Sequence, residues 1–480
     1  MVESATAGRV SVAARVFAAG HLGELTQILD FALVDAVAEE TGTVQRRVRL
    51  LPTRVVIFFV LALVLFDDCG YRLVWDKLTA GLSGLGALVR PSASALCRAR
   101  RRVGAKPLSA LFEAVAGPVA APGVPGVWWR GWRLVAWDAT YLRAPDAAAV
   151  RTVLRRRGGA KLVWGYPLLR LSVLIECGTK AVIGAAFGSD TVGENGYARR
   201  LLPCLRPDML LLADACYDDR ALLAQVGATG AGWLVRSTAS RTPLIGTVLP
   251  DGSYLSRLSG RRRGQHLNVR VIEAWLTVCY ADESVRRVRW RLLTSLTDHR
   301  RFPAGELVTL YHDRWETETC FRGIKCTVLD GRVLRSGWPA GIDQEVWALL
   351  TVYQCLVRLG VEAVTTTAAT TAATTAATTA AGTDPDRVSL TVAWQTARDQ
   401  VVLAQGIQPS ASDPCRTAIG TAVRANLLPP RRQRVKARTK KIATSQYKTA
   451  GTSWPKTSLN YTIDTHITIF EEGLTARSKP

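Results

Sequence analysis

Ten cysteines are present, yet no two form a Cys-x2-Cys pair and none sits in a cluster with histidine. That absence argues against a zinc site or a disulfide framework and fits free thiols in a reducing cytosol. Histidine is scarce, with five residues scattered along the chain, which disfavours a histidine-based triad. No Gly-x4-Gly-Lys-Ser/Thr loop occurs, so nothing cradles ATP phosphates and no nucleotide cofactor is expected. The apolar run Val55–Phe66 is too short for a bilayer, which needs about 20 residues. It reads as a buried helix, and no membrane partner is expected. The N-terminus lacks the basic, apolar and cleavage regions of a signal peptide. Acidic residues are also short, 39 against 62 Lys and Arg, for a net charge of +23. Such a field attracts polyanions, nucleic acid first and acidic lipid second.

A chain of 480 residues with 48% hydrophobic content predicts more than one domain around a real core. Residues 1–20 read as a disordered N-terminus. Over 21–117 the pattern is helical, with Leu22, Leu25, Ile28, Leu29, Leu33 and Val37 at helical intervals. The stretch Ser92–Arg102 reads as a capped helix with a basic end, and another helix follows Gly104. That pair suits either a DNA groove or an ordinary bundle, and the pattern does not separate the two. Residues 118–126 are rich in Pro and Gly and read as a linker. Strands and helices then alternate over 127–226, which predicts an α/β core with a mixed sheet. Residues 227–303 alternate polar and apolar positions and read as a β-rich insertion. Core helices return over 304–360, including one at Gln344–Leu359. The Thr/Ala repeat within 361–385 reads as a mobile linker. Residues 386–480 read as a helical segment and a basic tail, with seven Lys and Arg between 431 and 441, unstructured without a partner.

The chain is organised around Tyr311-x2-Arg314-x3-Glu318-x6-Lys325. On an α-helix, at about 100° per residue, these four fall on one narrow face some 21 Å long. One carboxylate lies in a stripe with a phenol, a guanidinium and an ammonium. The stripe suits a divalent metal on Glu318 with phosphates held to either side. On spacing alone it reads first as a solvated face with helix ion pairs, Glu318 with Arg314 or Arg322. Two apolar runs, Trp132–Tyr141 and Asp208–Ala215, carry Asp138 and Asp214 towards their ends. Two strand ends and one helix can gather three carboxylates, and phosphodiester chemistry on two metal ions needs such oxygen ligands. A lone Asp at a strand end is more often a turn residue or cap, and Asp146 and Asp190 are local rivals.

The Tyr-x2-Arg-x3-Glu-x6-Lys pattern resembles, without a gap, the signature of DDE transposases of bacterial insertion sequences, insertion-sequence family four. Asp138-Ala-Thr140 resembles the Asp-Gly-Thr first motif of that family, with Ala139 for Gly. Leu-Ala-Asp214-Ala-Cys-Tyr217 resembles its Asp-Arg-Gly-Phe second motif, with Ala215-Cys216 for Arg-Gly. The resemblance covers about 125–360 closely and 20–115 more loosely. It implies a ribonuclease-H-like catalytic core with a β-rich insertion, preceded by an α-helical, DNA-binding N-terminal domain. Asp138, Asp214 and Glu318 would be catalytic and would hold two Mg²⁺ ions, with Mn²⁺ as a substitute. Tyr311, Arg314 and Lys325 would contact transposon-end phosphates, and Trp275 or Trp290 would stack on a flipped base. The implied partners are double-stranded DNA, as ends and as target, and a second copy in a dimer on paired ends. The implied place is the bacterial cytoplasm, on the nucleoid. The implied activity is end binding, cleavage and joining of 3′-hydroxyls to target DNA. A basic DNA-binding regulator without catalysis, a ribonuclease-H-like nuclease and a decayed transposase are the alternatives.

Overall fold

The structure is a computed structural model. It describes residues 22–45, 47, 51–82, 90–156, 158–159, 162–163, 165–238, 240–259, 266–279, 285–372, 383–406, 417–430 and 464–469. The expected disordered start, 1–20, and the basic residues at 431–441 lie outside the described residues.

Strong local signals set the N-terminal helices. Asp30 caps Phe31–Glu40 by accepting from the Leu33 amide, Pro52 precedes Thr53–Leu65, and Ser92 caps Ala93–Val103. Gly104 ends that last helix at φ +71°, a conformation that favours glycine. The helix Thr53–Leu65 is buried on nearly all sides, as its unbroken apolar run predicts. Each such buried Leu, Ile or Phe is worth about 1.5–3 kcal/mol over an exposed one.

The sheet is built on β1 (Trp132–Arg143), β2 (Leu168–Glu176), β3 (Val182–Ser189), β4 (Met209–Ala213) and β5 (Gly232–Arg236). Their spatial order is β3-β2-β1-β4-β5. β1, β4 and β5 run parallel, and β2 and β3 are antiparallel to their neighbours. This is the five-stranded ribonuclease-H-like arrangement. The β2–β3 hairpin turns through Gly178, where an added Cβ would lie 2.7 Å from the Gly126 carbonyl oxygen.

The β-rich segment is not a separate body. β6 (Tyr254–Ser259), β7 (His266–Cys279) and β8 (Val285–Thr294) extend the same sheet, because β8 pairs with β5. The first strand assigned to the insertion, β5, belongs to the core. Asp464–Ile469, expected within an unstructured tail, forms β9 and pairs antiparallel with β7.

Alternation along the strands divides the core between two faces. Leu134, Ala136 and Leu142 of β1 with Leu210 and Leu212 of β4 face the N-terminal helices and the helix Pro339–Ala372. Val135, Trp137, Leu211 and Ala213 face the helices Glu194–Leu201 and Arg220–Ala228. The N-terminal helices therefore share one core with the sheet. Arg100, on the helix with a basic end, is fully buried: it donates to Gln344 Oε1 at 2.9 Å and pairs with Glu345 at 3.3 Å. That guanidinium ties the domain to the long helix and is not presented to DNA.

Two linker expectations change. Residues 118–126 are anchored by buried Glu176, whose Oε2 accepts from the amides of Val119 and Ala120, both at 3.1 Å. The helix expected to end at Leu359 runs to Ala372, into the Thr/Ala repeat. Alanine is the best helix former, and Val361, Ala363 and Val364 are buried, so packing carries the helix onward. The same helix is long and apolar enough to cross a membrane, but its most apolar window is 83% buried within the protein. It is a core helix.

Candidate active site

The parallel register of β1 and β4 brings the first two candidate carboxylates together. Leu134 pairs with Leu210 and Ala136 with Leu212. Continued by two residues, which keeps the same face, the register sets Asp138 beside Asp214. Asp138 Oδ1 accepts from the Ala139 amide at 2.7 Å. Burial pushes its carboxyl up to about 6, opposed by the Arg314 guanidinium and reinforced by the charge of Asp214. Asp214, 8% exposed, follows the end of β4 in extended conformation and caps the 3₁₀ turn Ala215–Tyr217, accepting from the Cys216 amide at 2.8 Å. Of the local rivals, Asp146 is tied up by Arg151 at 3.1 Å and by Arg156.

The stretch carrying Tyr311 to Lys325 is not one α-helix. It is α-helical over Ala304–Leu310, 3₁₀ over Tyr311–Trp315, α-helical over Glu316–Arg322 and π-helical over Gly323–Val328. The single 100° stripe is therefore replaced by tighter and wider turns. Gly323 opens the π turn where the helix presses on its neighbours: a Cβ there would lie 2.7 Å from Leu390 and 3.1 Å from Tyr353.

These turns direct three of the four signature side chains onto the sheet. The Tyr311 hydroxyl donates to the Ala213 carbonyl at 3.0 Å, one residue before Asp214. Tyr311 is 3% exposed, and burial raises its phenol to about 12. It braces the end of β4, in contrast to the expected phosphate contact. Arg314 Nη1 lies 3.6 Å from Asp138 Oδ2, and the same guanidinium feels Asp214 and Glu318. Its Nε and Nη1 are buried without a hydrogen-bond partner. Lys325 Nζ donates to Thr140 Oγ1 at 3.2 Å, on β1 two residues past Asp138. Glu318 itself is exposed. Arg314 thus pairs with Asp138, and its charge also acts on Asp214 and Glu318.

Among the described residues, no three His, Cys, Asp or Glu side chains already converge closely enough to hold one metal ion. The donor chemistry nonetheless fits a hard divalent cation. The donors are carboxylate oxygens, one of them disfavoured as an anion by burial, which a cation would relieve.

The two candidate tryptophans differ. Trp290 is 8% exposed, with its ring 5.2 Å from Tyr311 and 5.0 Å from His312. It packs behind the helix and is not presented for stacking. Trp275 is 36% exposed on β7.

Two further charged groups had no sequence signal. Lys180, at φ +65° after the β2–β3 turn, reaches Glu316 at 3.5 Å and also pairs with Asp386. It holds the buried side of the turn before Glu318. Glu194 opens the helix Glu194–Leu201, and its charge reaches Asp138, Tyr217 and Cys216.

Comparison with known proteins matches two family models. Residues 19–113 match the insertion element 4 transposase N-terminal family, and residues 129–355 match the transposase DDE domain. The chain is similar to the transposase InsG for insertion sequence element IS4 of Escherichia coli (strain K12), at 30% identity over 346 residues. That alignment covers 70% of this chain and 76% of InsG. Among solved structures, the piggyBac transposase synaptic complex with hairpin DNA aligns over 82% of this chain and 87% of its own at 11% identity. Its TM-score of 0.37 is too low to bear on the site.

Proposed function

From the premise that the chain belongs to the insertion element 4 family of DDE transposases, metal-dependent enzymes that act on DNA, we propose that Asp138, Asp214 and Glu318 carry its chemistry. The observation that carries this assignment is the Arg314 guanidinium, buried 3.6 Å from Asp138 where the strand register brings Asp138 and Asp214 together. A residue that serves only a solvated helix face would be exposed; Arg314 is 6% exposed.

We propose that the enzyme binds the terminal inverted repeats of its element, cleaves at their ends and joins the freed 3′-hydroxyls to target DNA. In the first step water attacks phosphorus, the bond to the 3′-oxygen breaks, and that oxygen leaves as a hydroxyl. In the second the 3′-hydroxyl attacks a target phosphodiester in line, and the target 3′-oxygen leaves. Each step exchanges one phosphoester bond, so no ATP is needed. Two Mg²⁺ ions, replaceable by Mn²⁺, would activate the attacking oxygen and stabilise the leaving one when bound by the three carboxylates.

The chain's own residues do the positioning. Asp138 and Asp214 are held in register by β1 and β4, and Tyr311 fixes the carbonyl before Asp214. Arg314 balances their charge before metal arrives and offers a planar fork to a phosphate afterwards. Lys325, at Thr140, supplies a point charge two residues further along β1. Trp275, 36% exposed on β7, is the ring proposed to stack on a base. A dimer on paired ends and a place on the bacterial nucleoid complete the proposal.

The test is incubation with the DNA flanking its own gene plus Mg²⁺, with the cut ends mapped and joined products sequenced. Cleavage without joining would favour a nuclease. Binding without cleavage would favour a regulator or a decayed copy.

A further inference from the structure

We propose that the β-rich segment carries a second DNA site, a platform for single-stranded DNA on the side of the sheet away from the carboxylates; the inference rests on the reading of Trp275 as a base-stacking ring. Side chains alternate between the two faces of a sheet, and residues paired across antiparallel strands point the same way. Asp138 continues the face of Leu134 and Ala136, and Asp214 that of Leu210 and Leu212. That face meets the N-terminal helices and the long helix, and Leu276, Trp290 and Leu292 share its core with Tyr311. Trp275 precedes Leu276 and pairs with Arg289, which precedes Trp290. Trp275 and Arg289 therefore point to the opposite face. There Val271 and Leu293 join the core under the helices Glu194–Leu201 and Arg220–Ala228.

Beyond Val271 and Leu293 this face turns from apolar to charged. It continues as Glu273, Trp275 and Thr277 on β7, paired in that order with Arg291, Arg289 and Arg287 on β8. Arg287 and Arg289 are exposed, and Trp275 is 36% exposed beside them. Glu273 is the one acidic residue in the two strands. It pairs with Arg289, and its Oε1 accepts from Arg291 Nε at 2.8 Å, which fixes those two side chains along the row. Three guanidinium groups against one carboxylate leave an excess of positive charge around an aromatic ring. Arginines at every second position of a strand stand about 7 Å apart on one face. A solvated strand face needs cations but no exposed indole. A row of cations beside such a ring suits a single strand, with phosphates along the row and a base on the ring. Duplex DNA keeps its bases stacked on one another and offers the ring no free π face. Because the carboxylates lie on the other side of the sheet, the strand held here is not the one being cut.

The probes are a labelled oligo(dT) and an abasic oligonucleotide of equal length, which keeps the phosphates and lacks the bases. Full-length protein is titrated with each in EDTA, binding is read by fluorescence anisotropy across a salt series, and every variant is melted beside wild type. Trp275→Ala should weaken oligo(dT) binding about tenfold, towards the lower end of what stacking one base contributes, and leave abasic binding unchanged. Trp275→Phe keeps a ring, should retain most of the affinity, and serves as the second variant should alanine disturb the strand. Arg287→Ala should weaken both probes and make the salt slope shallower by about 0.7, the share of one phosphate contact on a single strand. Oligo(dT) should stay bound when duplex DNA from the element's own end saturates the protein. If Trp275→Ala and Arg287→Ala bind oligo(dT) as wild type does, the platform is overturned. If the end duplex displaces oligo(dT) while Trp275→Ala still discriminates the two probes, Trp275 serves the cut end, so the base-stacking reading stands and the second site falls. If Trp275→Ala weakens both probes alike, the ring stacks on no base, and that reading fails together with the site.

Discussion

Arg314 Nη1 stands 3.6 Å from Asp138 Oδ2, a buried ion pair too long to be a hydrogen bond. In the metal-free state each offsets part of the other's burial. Arg314→Ala should therefore lower stability by about 1–3 kcal/mol, the usual consequence of leaving a buried polar group without its partner. It should also reduce end cleavage by more than tenfold. Arg314→Lys should restore the charge but not the planar fork, and cleavage should stay well below wild type. Thermal melting beside single-turnover cleavage of a pre-nicked end checks both. Full cleavage by Arg314→Lys would reduce Arg314 to a point charge.

Asp138 makes a prediction about metal-free stability. Its carboxyl titrates near 6 in the folded protein, above the ordinary 3.8. Below pH 4 both the folded and the unfolded chain hold this proton, and the group has no effect. As pH rises towards 6 the unfolded chain releases it first, so stability falls, by at most about 3 kcal/mol, and levels off above pH 6. Asp138→Asn removes that charge. In EDTA the variant should melt above wild type at pH 7.5, with the difference shrinking as pH approaches 4, while cleavage is abolished. A variant that melts lower at neutral pH would mean that Arg314 compensates Asp138 fully.

Tyr311 can be tested as a brace. Tyr311→Phe keeps the ring against Trp290 but loses the bond to the Ala213 carbonyl. It should cost about 1 kcal/mol of stability and lower cleavage by loosening Asp214. Affinity for end DNA in EDTA should be unchanged. A marked loss of that affinity would return Tyr311 to the phosphate contact that the resemblance implies.

Gly323 tests the π turn. Gly323→Val places a branched side chain where a single Cβ already meets Leu390 and Tyr353. Overpacking of this kind costs about 1–3 kcal/mol. The turn carrying Lys325 should shift with it, so cleavage should fall further than the melting temperature alone accounts for. Wild-type cleavage in a destabilised variant would detach the π turn from function.

Strand ends and a fixed helical spacing made Asp138, Asp214 and Glu318 candidates among several, and the resemblance to the family's motifs singled them out. The α/β core followed from the same alternation. What stayed hidden depends on distant partners. The 3₁₀ and π turns around Glu318 arise where Tyr311 bonds to β4 and where Gly323 meets Leu390, 67 positions away in sequence by number. The joining of the β-rich segment to the core sheet rests on pairing of Leu292 with Arg236, which no local pattern announces. The Thr/Ala repeat looks like a linker until buried Val361 and Val364 carry the helix into it.

The central claim is that three carboxylates gathered by β1, β4 and the helix after Pro303 hold the metal for DNA cleavage. The most direct measurement is Mg²⁺-dependent cleavage of the element's own terminal DNA by wild type, Asp138→Asn, Asp214→Asn and Glu318→Gln, with end binding in EDTA measured in parallel. The account predicts cut ends with wild type, none with any of the three variants, and unimpaired binding by all four. Near-normal cleavage by any one variant would remove that residue from the site, and cleavage by all three would contradict the account.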